Sequence, residues 1–127
     1  MSYQGKYVTA EQNGEARADQ SSIGPSEKWH LIFKGSSKVN LKNSNRQKYL
    51  VAETLGQVNA DHTTATTLEL FGMESLGYSH YAFKSYHGKY LVAESDGALN
   101  ADSLSVGSQE KFTAISISKY VCVTVTC

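Results

Sequence analysis

The chain has 127 residues, 40% of them apolar and only one proline, so it is long enough for one hydrophobic core and too short for two ordinary domains. Twelve basic side chains balance twelve acidic ones, and this neutrality argues against a nucleic-acid partner or an anionic membrane surface. No apolar stretch reaches the roughly 18 residues that span a bilayer, so membrane insertion is not expected.

The first seven residues do not have the basic-then-apolar order of a secretion signal. We therefore expect a protein that is synthesised and kept in the cytoplasm. Non-classical release and removal of an earlier signal are the alternatives.

Three 15-residue windows of the chain align with one another without a gap. They cover residues 5–19, 47–61 and 88–102, so the spacing between copies is 42 and then 41 residues. Eight residues after each window comes a Glu, and two residues later an aromatic: Glu27 and Trp29, Glu69 and Phe71, Glu110 and Phe112. This self-similarity indicates three copies of one unit of roughly 41 residues.

Each copy is predicted to consist of four short β-strands. The first is the alternating run Lys-Tyr-Leu-Val-Ala-Glu or its variant in copy one, and the repeated Gly14, Gly56 and Gly97 mark a hairpin turn with positive φ. The second strand returns through the repeated Ala-Asp, and the third begins at the repeated aromatic residue. A linking strand at residues 39–42 or 81–84 precedes copies two and three.

Alternation within these strands predicts which side chains face the core. The expected core residues occupy matching positions of the three copies: Val8, Leu50, Leu91, Ala10, Ala52, Ala93, Ala16, Val58, Leu99, Ala18, Ala60, Ala101, Trp29, Phe71 and Phe112. The third strand continues at period two with Leu31, Met73 and Ala114. Tyr81 alternates with Phe83 in a linking strand and is expected in the core as well.

Copy one has no linking strand ahead of it, because only four residues precede Gly5. The β-prone run at residues 119–127 follows copy three and belongs to no copy, so we expect it to fill the vacant position. The prediction is an all-β fold of the β-trefoil type, a single domain over residues 1–127 with pseudo-threefold symmetry. Repeat one covers about 1–37 plus a C-terminal strand at about 120–127, repeat two about 38–79 and repeat three about 80–119.

The two cysteines, Cys122 and Cys127, lie five residues apart, on opposite faces of one predicted strand. A disulfide between them would need a sharp turn inside four β-prone residues, so we expect free thiols. The four histidines are scattered along the sequence, and we predict neither a metal site nor a cofactor.

The repeated Gly-Lys-Tyr-Leu-x-Ala-Glu, x-x-Gly, Ala-Asp and Glu-x-Phe elements resemble those of the fascin-like β-trefoils, the family of fascin and hisactophilin. The resemblance covers nearly the whole chain and implies the β-trefoil fold, with F-actin as a partner. This chain carries four histidines and a single trefoil, so the properties of a histidine-rich surface and filament bundling by several trefoils are not transferred to it.

The chain also resembles, in type, the small single-domain β-trefoil lectins of marine invertebrates, which share its length and threefold plan. The Gln-x-Trp triplet of ricin-type lectins is absent, and Trp29 stands where the other copies have core phenylalanines. We therefore assign Trp29 to the core rather than to a sugar-stacking surface.

No enzyme signature stands out in the sequence. It contains no Gly-x-Ser-x-Gly, phosphate-binding loop or His-Glu-x-x-His motif. The repeated acids, Glu11, Glu53, Glu94, Asp19, Asp61 and Asp102, could suggest acid–base chemistry. An active site is normally single, however, so we assign threefold-repeated residues to turn or strand-end hydrogen bonds and predict a non-catalytic protein.

If the repeated residues serve the scaffold, function is expected where the copies differ. After Asp61, copy two continues with His62, whereas the other copies continue with Gln or Ser after the matching Asp, and aromatic and imidazole groups flank the start of copy three. Rings with nearby hydrogen-bonding groups suit a sugar, which has apolar faces and hydroxyl rims. The predicted glycan-binding residues are Asp61, His62, Tyr78, His80, Tyr86 and His87.

The favoured function is thus a lectin that recognises glycans of glycoproteins or glycolipids. It should be independent of calcium, because no cluster of acidic ligands marks a calcium loop, and cross-linking by one site per chain would require a homodimer. The alternative is an actin-binding or cross-linking module that uses the basic group Lys34, Lys38, Lys42, Arg46 and Lys48. A lysine-rich edge that prevents strand pairing would explain the same group, and a purely structural module is a third alternative.

Overall fold

The polypeptide folds into twelve short strands joined by tight turns. The computed structural model describes residues 6–20, 22, 24–53, 56–64, 67–77, 80–94, 97–107, 110–117 and 120–125, with the backbone alone for 67, 114–117 and 120–125. The strands are β1 Tyr7–Ala10, β2 Ala16–Gln20, β3 Trp29–Phe33, β4 Lys38–Asn43, β5 Tyr49–Ala52, β6 Val58–His62, β7 Phe71–Gly77, β8 His80–Lys84, β9 Tyr90–Ala93, β10 Leu99–Ser103, β11 Phe112–Ile117 and β12 Tyr120–Val125. Short 3₁₀ turns, Pro25–Glu27 and Thr67–Glu69, precede β3 and β7. Within these described ranges no helix is long and apolar enough to cross a membrane.

Six of the strands close into a ring. Antiparallel pairing runs from β3 to β4, to β7, to β8, to β11, to β12 and back to β3. The other six form three hairpins, β1–β2, β5–β6 and β9–β10. Closure pairs both edges of every ring strand, and the result is the predicted β-trefoil, a six-stranded barrel capped by three hairpins.

The C-terminal strand completes the first copy. Tyr7 of β1 pairs with Thr124 of β12, as Tyr49 of β5 pairs with Lys42 of β4 and Tyr90 of β9 pairs with Lys84 of β8. The expectation that the end of the chain fills the vacant position of copy one is therefore confirmed.

The core lies along the barrel axis and under the three hairpins. All of the side chains predicted from β1, β2, β5, β6, β9 and β10 are buried in one cluster with Trp29, Phe71 and Phe112. Linking strands add Val39, Leu41 and Phe83, while Leu31, Met73 and Tyr81 pack against the cluster partly buried. The side chain of Ala114 lies outside the described residues, as does Cys127.

The first strand of each copy is buried on both faces, which alternation alone does not predict. Thr9, Val51 and Val92 point away from the core cluster, yet they are only 3%, 0% and 4% exposed. In copy one the 3₁₀ turn covers this outer face, and Thr9 Oγ1 donates a 2.6 Å hydrogen bond to Glu27 Oε2. Burial of the turn's glutamate therefore accompanies burial of the strand beneath it.

The hairpins are joined to one another by a ring of three backbone hydrogen bonds. The Ala60 N–H donates to Gly14 O at 2.7 Å, the Ala101 N–H to Gly56 O at 2.7 Å, and the Ala18 N–H to Gly97 O at 2.8 Å. Each alanine belongs to the repeated Ala-Asp of one copy and each glycine to the turn of another. The two repeated motifs are thus the two halves of one interaction.

The turn glycines are required for two reasons. Gly14, Gly56 and Gly97 have φ of +96°, +98° and +93°, which confirms the predicted positive φ. In addition, a Cβ at Gly97 would lie 2.9 Å from the Cβ of Asp19. A side chain at this position is therefore excluded by the neighbouring hairpin as well as by backbone conformation.

We expect a chain that ends at residue 119 to lose its cooperative unfolding transition. Without β12, strands β1, β3 and β11 each lose a partner, and the barrel is left open with exposed edges. Urea denaturation followed by circular dichroism tests this, with a chain that ends at Val125 as the control. Cooperative unfolding of the shorter chain would show that the barrel does not depend on β12.

Gly97→Ala should destabilise the protein more than Gly88→Ala. Gly88 has a similar φ of +81°, but no atom lies within 4 Å of the position that an added methyl group would take, so that variant measures backbone strain of about 1 kcal/mol. Gly97→Ala adds a steric conflict with Asp19, which costs about 1–3 kcal/mol more. Denaturant unfolding of both variants gives the comparison. Equal losses in the free energy of unfolding would mean that Asp19 moves aside for the added methyl group without destabilising the fold.

Candidate functional site

A surface pocket of about 310 Å³ lies where β4, β7 and β8 run side by side. Strand register places Lys38, Gly72 and Lys84 in one row across the three strands. Because Gly72 has no side chain, the two lysines border a depression: a Cβ there would be 3.9 Å from Lys38 Nζ and 3.9 Å from Lys84 Cβ. Leu70, Ser85 and Tyr86 complete the lining. We call this the Lys38–Tyr86 pocket.

The glycine that opens this pocket is specific to copy two. At the spacing of the repeats, the positions that match Gly72 hold His30 in copy one and Thr113 in copy three. Sequence comparison between copies could have detected this difference, but the consequence depends on which residues lie beside Gly72 in the sheet.

The turn between β8 and β9 holds Tyr86 at the rim of the pocket. Ser85 N donates to Lys89 O at 2.7 Å, and Ser85 Oγ accepts the backbone N–H of His87 at 3.2 Å. Tyr86 is 61% exposed, and its ring meets the His87 ring edge-on with centroids 5.8 Å apart. The turn is thus well ordered by internal hydrogen bonds and presents a large aromatic ring to solvent.

The pocket is electropositive. Neither Lys38 nor Lys84 has a carboxylate within 4.0 Å among the residues that the structure describes. Lys84 Nζ lies 5.5 Å above the ring of Tyr90, a contact that leaves its charge uncancelled. The site therefore offers ammonium donors and a hydroxyl beside an exposed aromatic ring.

A second arrangement lies at the end of β6, where copy two has His62 in place of Gln20 or Ser103. His62 Nδ1 contacts the carboxylate of Glu69, which is fully buried. On the other side of the ring, His62 Nε2 is 3.7 Å from Asp61 Oδ1 and 3.9 Å from Glu53 Oε2. From the sequence, Glu53 was predicted to serve the scaffold because it is repeated in every copy. The contact between Glu69 and His62 was not predicted.

A third depression, of about 180 Å³, lies where the three hairpins meet. It is lined by equivalent residues of all three copies: Glu15, Gln57 and Ala98; Ala16, Val58 and Leu99; Arg17, Asn59 and Asn100. Arg17 Nε forms a 2.9 Å ion pair with Asp19 Oδ2. The lining comes from the positions that hold the hairpins together, so we assign it to the scaffold.

The six residues predicted to bind a glycan lie on different elements. Asp61 and His62 belong to β6, while Tyr86 and His87 form the turn after β8. His80 begins β8 and Tyr86 follows its other end, so about six residues of nearly extended chain, roughly 20 Å, separate them. Tyr78 lies outside the described residues. The structure thus forms two pairs from this set.

The structure also places Trp29 and four members of the basic group from the sequence analysis. Trp29 is 1% exposed and its Nε1 donates to Val8 O at 3.1 Å, which confirms its assignment to the core. In the basic group, Lys42 Nζ lies 5.4 Å above the Tyr49 ring and Arg46 Nε donates to Ala10 O at 3.1 Å. Lys34 and Lys38 are exposed.

Comparison with known proteins places the chain in a family. The sequence model of the Fascin domain matches residues 4–114. The chain belongs to the fascin domain family. This fascin domain is also similar in structure to the designed threefold-symmetric protein ThreeFoil, with a TM-score of 0.78, 22% sequence identity, and coverage of 89% of this chain and 92% of that one. At that identity the likeness supports the β-trefoil fold alone. No curated protein sequence matches the chain.

In this fascin domain Glu74 should control the ionisation of Tyr90. The Tyr90 hydroxyl donates to Glu74 Oε1 at 3.0 Å, and this hydrogen bond raises the pKa of Tyr90, with smaller contributions from burial and from the negative charge of Glu74. Because the pKa of Tyr90 is raised, this interaction stabilises the fold at every pH below the ordinary pKa of tyrosine. The stabilisation is lost as the pH rises through the raised pKa of Tyr90.

Glu74→Gln should therefore let one tyrosine ionise at lower pH than in the wild type. Spectrophotometric titration of tyrosinate measures the difference, and Tyr90→Phe identifies the tyrosine that moves. Superimposable titration curves of the wild type and Glu74→Gln would contradict this assignment.

Proposed function

We propose that this fascin domain is a non-catalytic, calcium-independent glycan-binding protein and that the Lys38–Tyr86 pocket is its binding site. The observation that carries the proposal is the exposed ring of Tyr86 beside a pocket that also contains two lysine side chains and Ser85. An aromatic ring can stack against the apolar face of a sugar, while ammonium and hydroxyl groups bind its oxygen atoms.

The charge of the pocket indicates the class of glycan. Lys38 and Lys84 stand on either side of Gly72, and none of the described residues that line the pocket carries a carboxylate. A sugar that carries a carboxylate or sulfate would satisfy both ammonium groups, which a neutral sugar would leave partly desolvated. We therefore expect acidic glycans of glycoproteins or glycolipids to bind best.

The chemistry of the described pocket lining also supports calcium independence. Calcium in proteins takes six to eight oxygen ligands, largely from acidic side chains, whereas the lining supplies two cations, one hydroxyl, one phenol, an apolar side chain and a glycine. Binding in the presence of EDTA should equal binding in calcium.

Gly72→Thr is the sharpest test of this site. It introduces the residue of copy three, Thr113, at the matching position, and threonine is favoured in strands. The added side chain fills the depression between Lys38 and Lys84, so glycan binding should be lost while the melting temperature is retained. Tyr86→Ala should weaken binding roughly tenfold or more, the scale of removing one important aromatic contact.

The measurement is a glycan array followed by calorimetry with the best ligand. Leu104→Ala is the matched control, because Leu104 is 77% exposed and does not line the pocket. Unchanged binding by Gly72→Thr and Tyr86→Ala would place the glycan elsewhere, and a silent array with folded protein would contradict the lectin assignment.

Actin binding is the second candidate function, and family membership favours it. The exposed Lys34 and Lys38 lie at the two ends of the β3–β4 turn, where they could meet the acidic surface of actin. Co-sedimentation with F-actin in the same buffer tests it, with Lys34→Glu as the diagnostic variant because Lys34 lies outside the pocket lining. Pelleting that Lys34→Glu abolishes, together with a silent array, would favour actin.

Cross-linking provides a further distinction. One site per chain means that agglutination or filament bundling requires a homodimer. Size-exclusion chromatography with light scattering gives the oligomeric state, and a strict monomer that agglutinates would require more than one site per chain.

A further inference from the structure

His62 is held in one orientation by a buried carboxylate. Glu69 lies in the 3₁₀ turn before β7, has no solvent exposure, and contacts His62 Nδ1. When Glu69 is ionised its carboxylate can only accept a hydrogen bond, so Nδ1 is then the donor in this contact. In the neutral ring Nε2 then presents its lone pair on the opposite side.

Two further carboxylates face that lone pair. Asp61 Oδ1 and Glu53 Oε2 are 3.7 Å and 3.9 Å from His62 Nε2. These distances exceed the roughly 2.7–3.2 Å of a hydrogen bond, so a proton on Nε2 would not be well shared with either oxygen. One ligand atom from each of the three residues lies within 4.8 Å of the others.

The spacing matches that of ligands around one metal ion. Zinc bonds to imidazole nitrogen and carboxylate oxygen at about 2.0–2.2 Å, so two ligands of a tetrahedral site are roughly 3.4 Å apart. Small side-chain rotations would bring Asp61 and Glu53 to this separation. The side chains of His62, Glu53 and Asp61 are 38%, 33% and 45% exposed, so an ion can enter and keep a water molecule as its fourth ligand.

Among the described residues, the carboxylates of Glu53 and Asp61 have no basic residue beside them other than His62. No Lys or Arg lies within 4.0 Å of Glu53 or Asp61 in the described part of the chain. In copy one the matching Asp19 pairs with Arg17, but the position of Arg17 holds Asn59 in copy two. Asp61 therefore lacks the arginine partner that Asp19 has in copy one.

We propose that Glu53, Asp61 and His62 form a zinc site, with Glu69 as the positioning residue that directs His62 Nε2 toward the ion. A carboxylate on the far nitrogen of a histidine ligand is a common arrangement around zinc and raises the basicity of the ligand. The imidazole ligand and the small number of oxygen ligands favour zinc over calcium or magnesium. This site lies outside the Lys38–Tyr86 pocket and does not depend on the proposed glycan binding.

The other copies provide the control substitutions. The residue that matches His62 is Gln20 in copy one and Ser103 in copy three, so His62→Gln places a residue that this fold already accommodates. Asp61→Asn can be compared with Asp102→Asn at the matching position of copy three. His87→Gln controls for loss of a histidine elsewhere.

The experiment is calorimetric titration of the full-length, chelator-treated chain with zinc chloride, and with calcium and magnesium chloride as controls. We expect one zinc ion per chain and a higher melting temperature with zinc alone. Glu69→Gln should weaken binding by about 10–100-fold, the range for loss of an outer-shell partner, and His62→Gln by at least as much. Asp102→Asn and His87→Gln should bind like the wild type.

The variants distinguish this site from zinc bound at Cys122 or Cys127. Zinc affinity that is unchanged in His62→Gln and in Asp61→Asn would overturn the proposal. A loss of zinc affinity in Asp102→Asn and His87→Gln as large as that in Asp61→Asn and His62→Gln would overturn it as well. No zinc binding at micromolar concentrations by the folded wild type would overturn it as well. Because Glu69 is buried, its variant is interpreted only if it melts cooperatively, and the other variants decide the matter without it.

Discussion

The carbonyl group of each hairpin turn accepts the amide N–H of the next hairpin, three times around the barrel axis. A Cβ added at Gly14, Gly56 or Gly97 would lie 3.1, 3.2 or 2.9 Å from the Cβ of the aspartate that follows the donating alanine. The hydrogen bond between hairpins also determines where the following residues lie. Asp61 comes directly after Ala60, whose N–H donates a hydrogen bond to Gly14 O. The positions of Asp61 and His62 are therefore fixed by the contact between the first two hairpins.

The buried glutamates show how one scaffold position acquires different roles. Glu27 and Glu110 accept backbone N–H bonds from Gly24 and Gly107 at 2.6 and 2.7 Å, which orders the turn before the next strand. In copy two the same position, Glu69, contacts His62 instead of a hydroxyl such as that of Thr9 in copy one. A residue that repeats for structural reasons therefore becomes part of a candidate site when its neighbour changes.

The Lys38–Tyr86 pocket arises in a similar way, by removal of a side chain. The barrel repeats the same strand row three times, and a histidine or threonine occupies the central position in the other two copies. Glycine at residue 72 leaves room between two lysines without altering strand pairing. Pseudo-symmetry thus supplies a common frame, and single differences in one copy produce the two candidate sites.

The sequence by itself determined the repeat, the β-trefoil fold, the hairpin turns and the core. Strand periodicity and turn chemistry are local properties, and the same pattern occurs in all three copies. The burial of Thr9 and Val51 was not predictable from alternation, since it depends on a 3₁₀ turn that packs against β1 and another that packs against β5. Only the tertiary structure decided which residues of separate elements lie next to each other. Lys38 and Gly72 are 34 residues apart in the sequence and His62 and Glu69 are seven apart, and each pair is brought together by packing between separate elements, which no local pattern encodes.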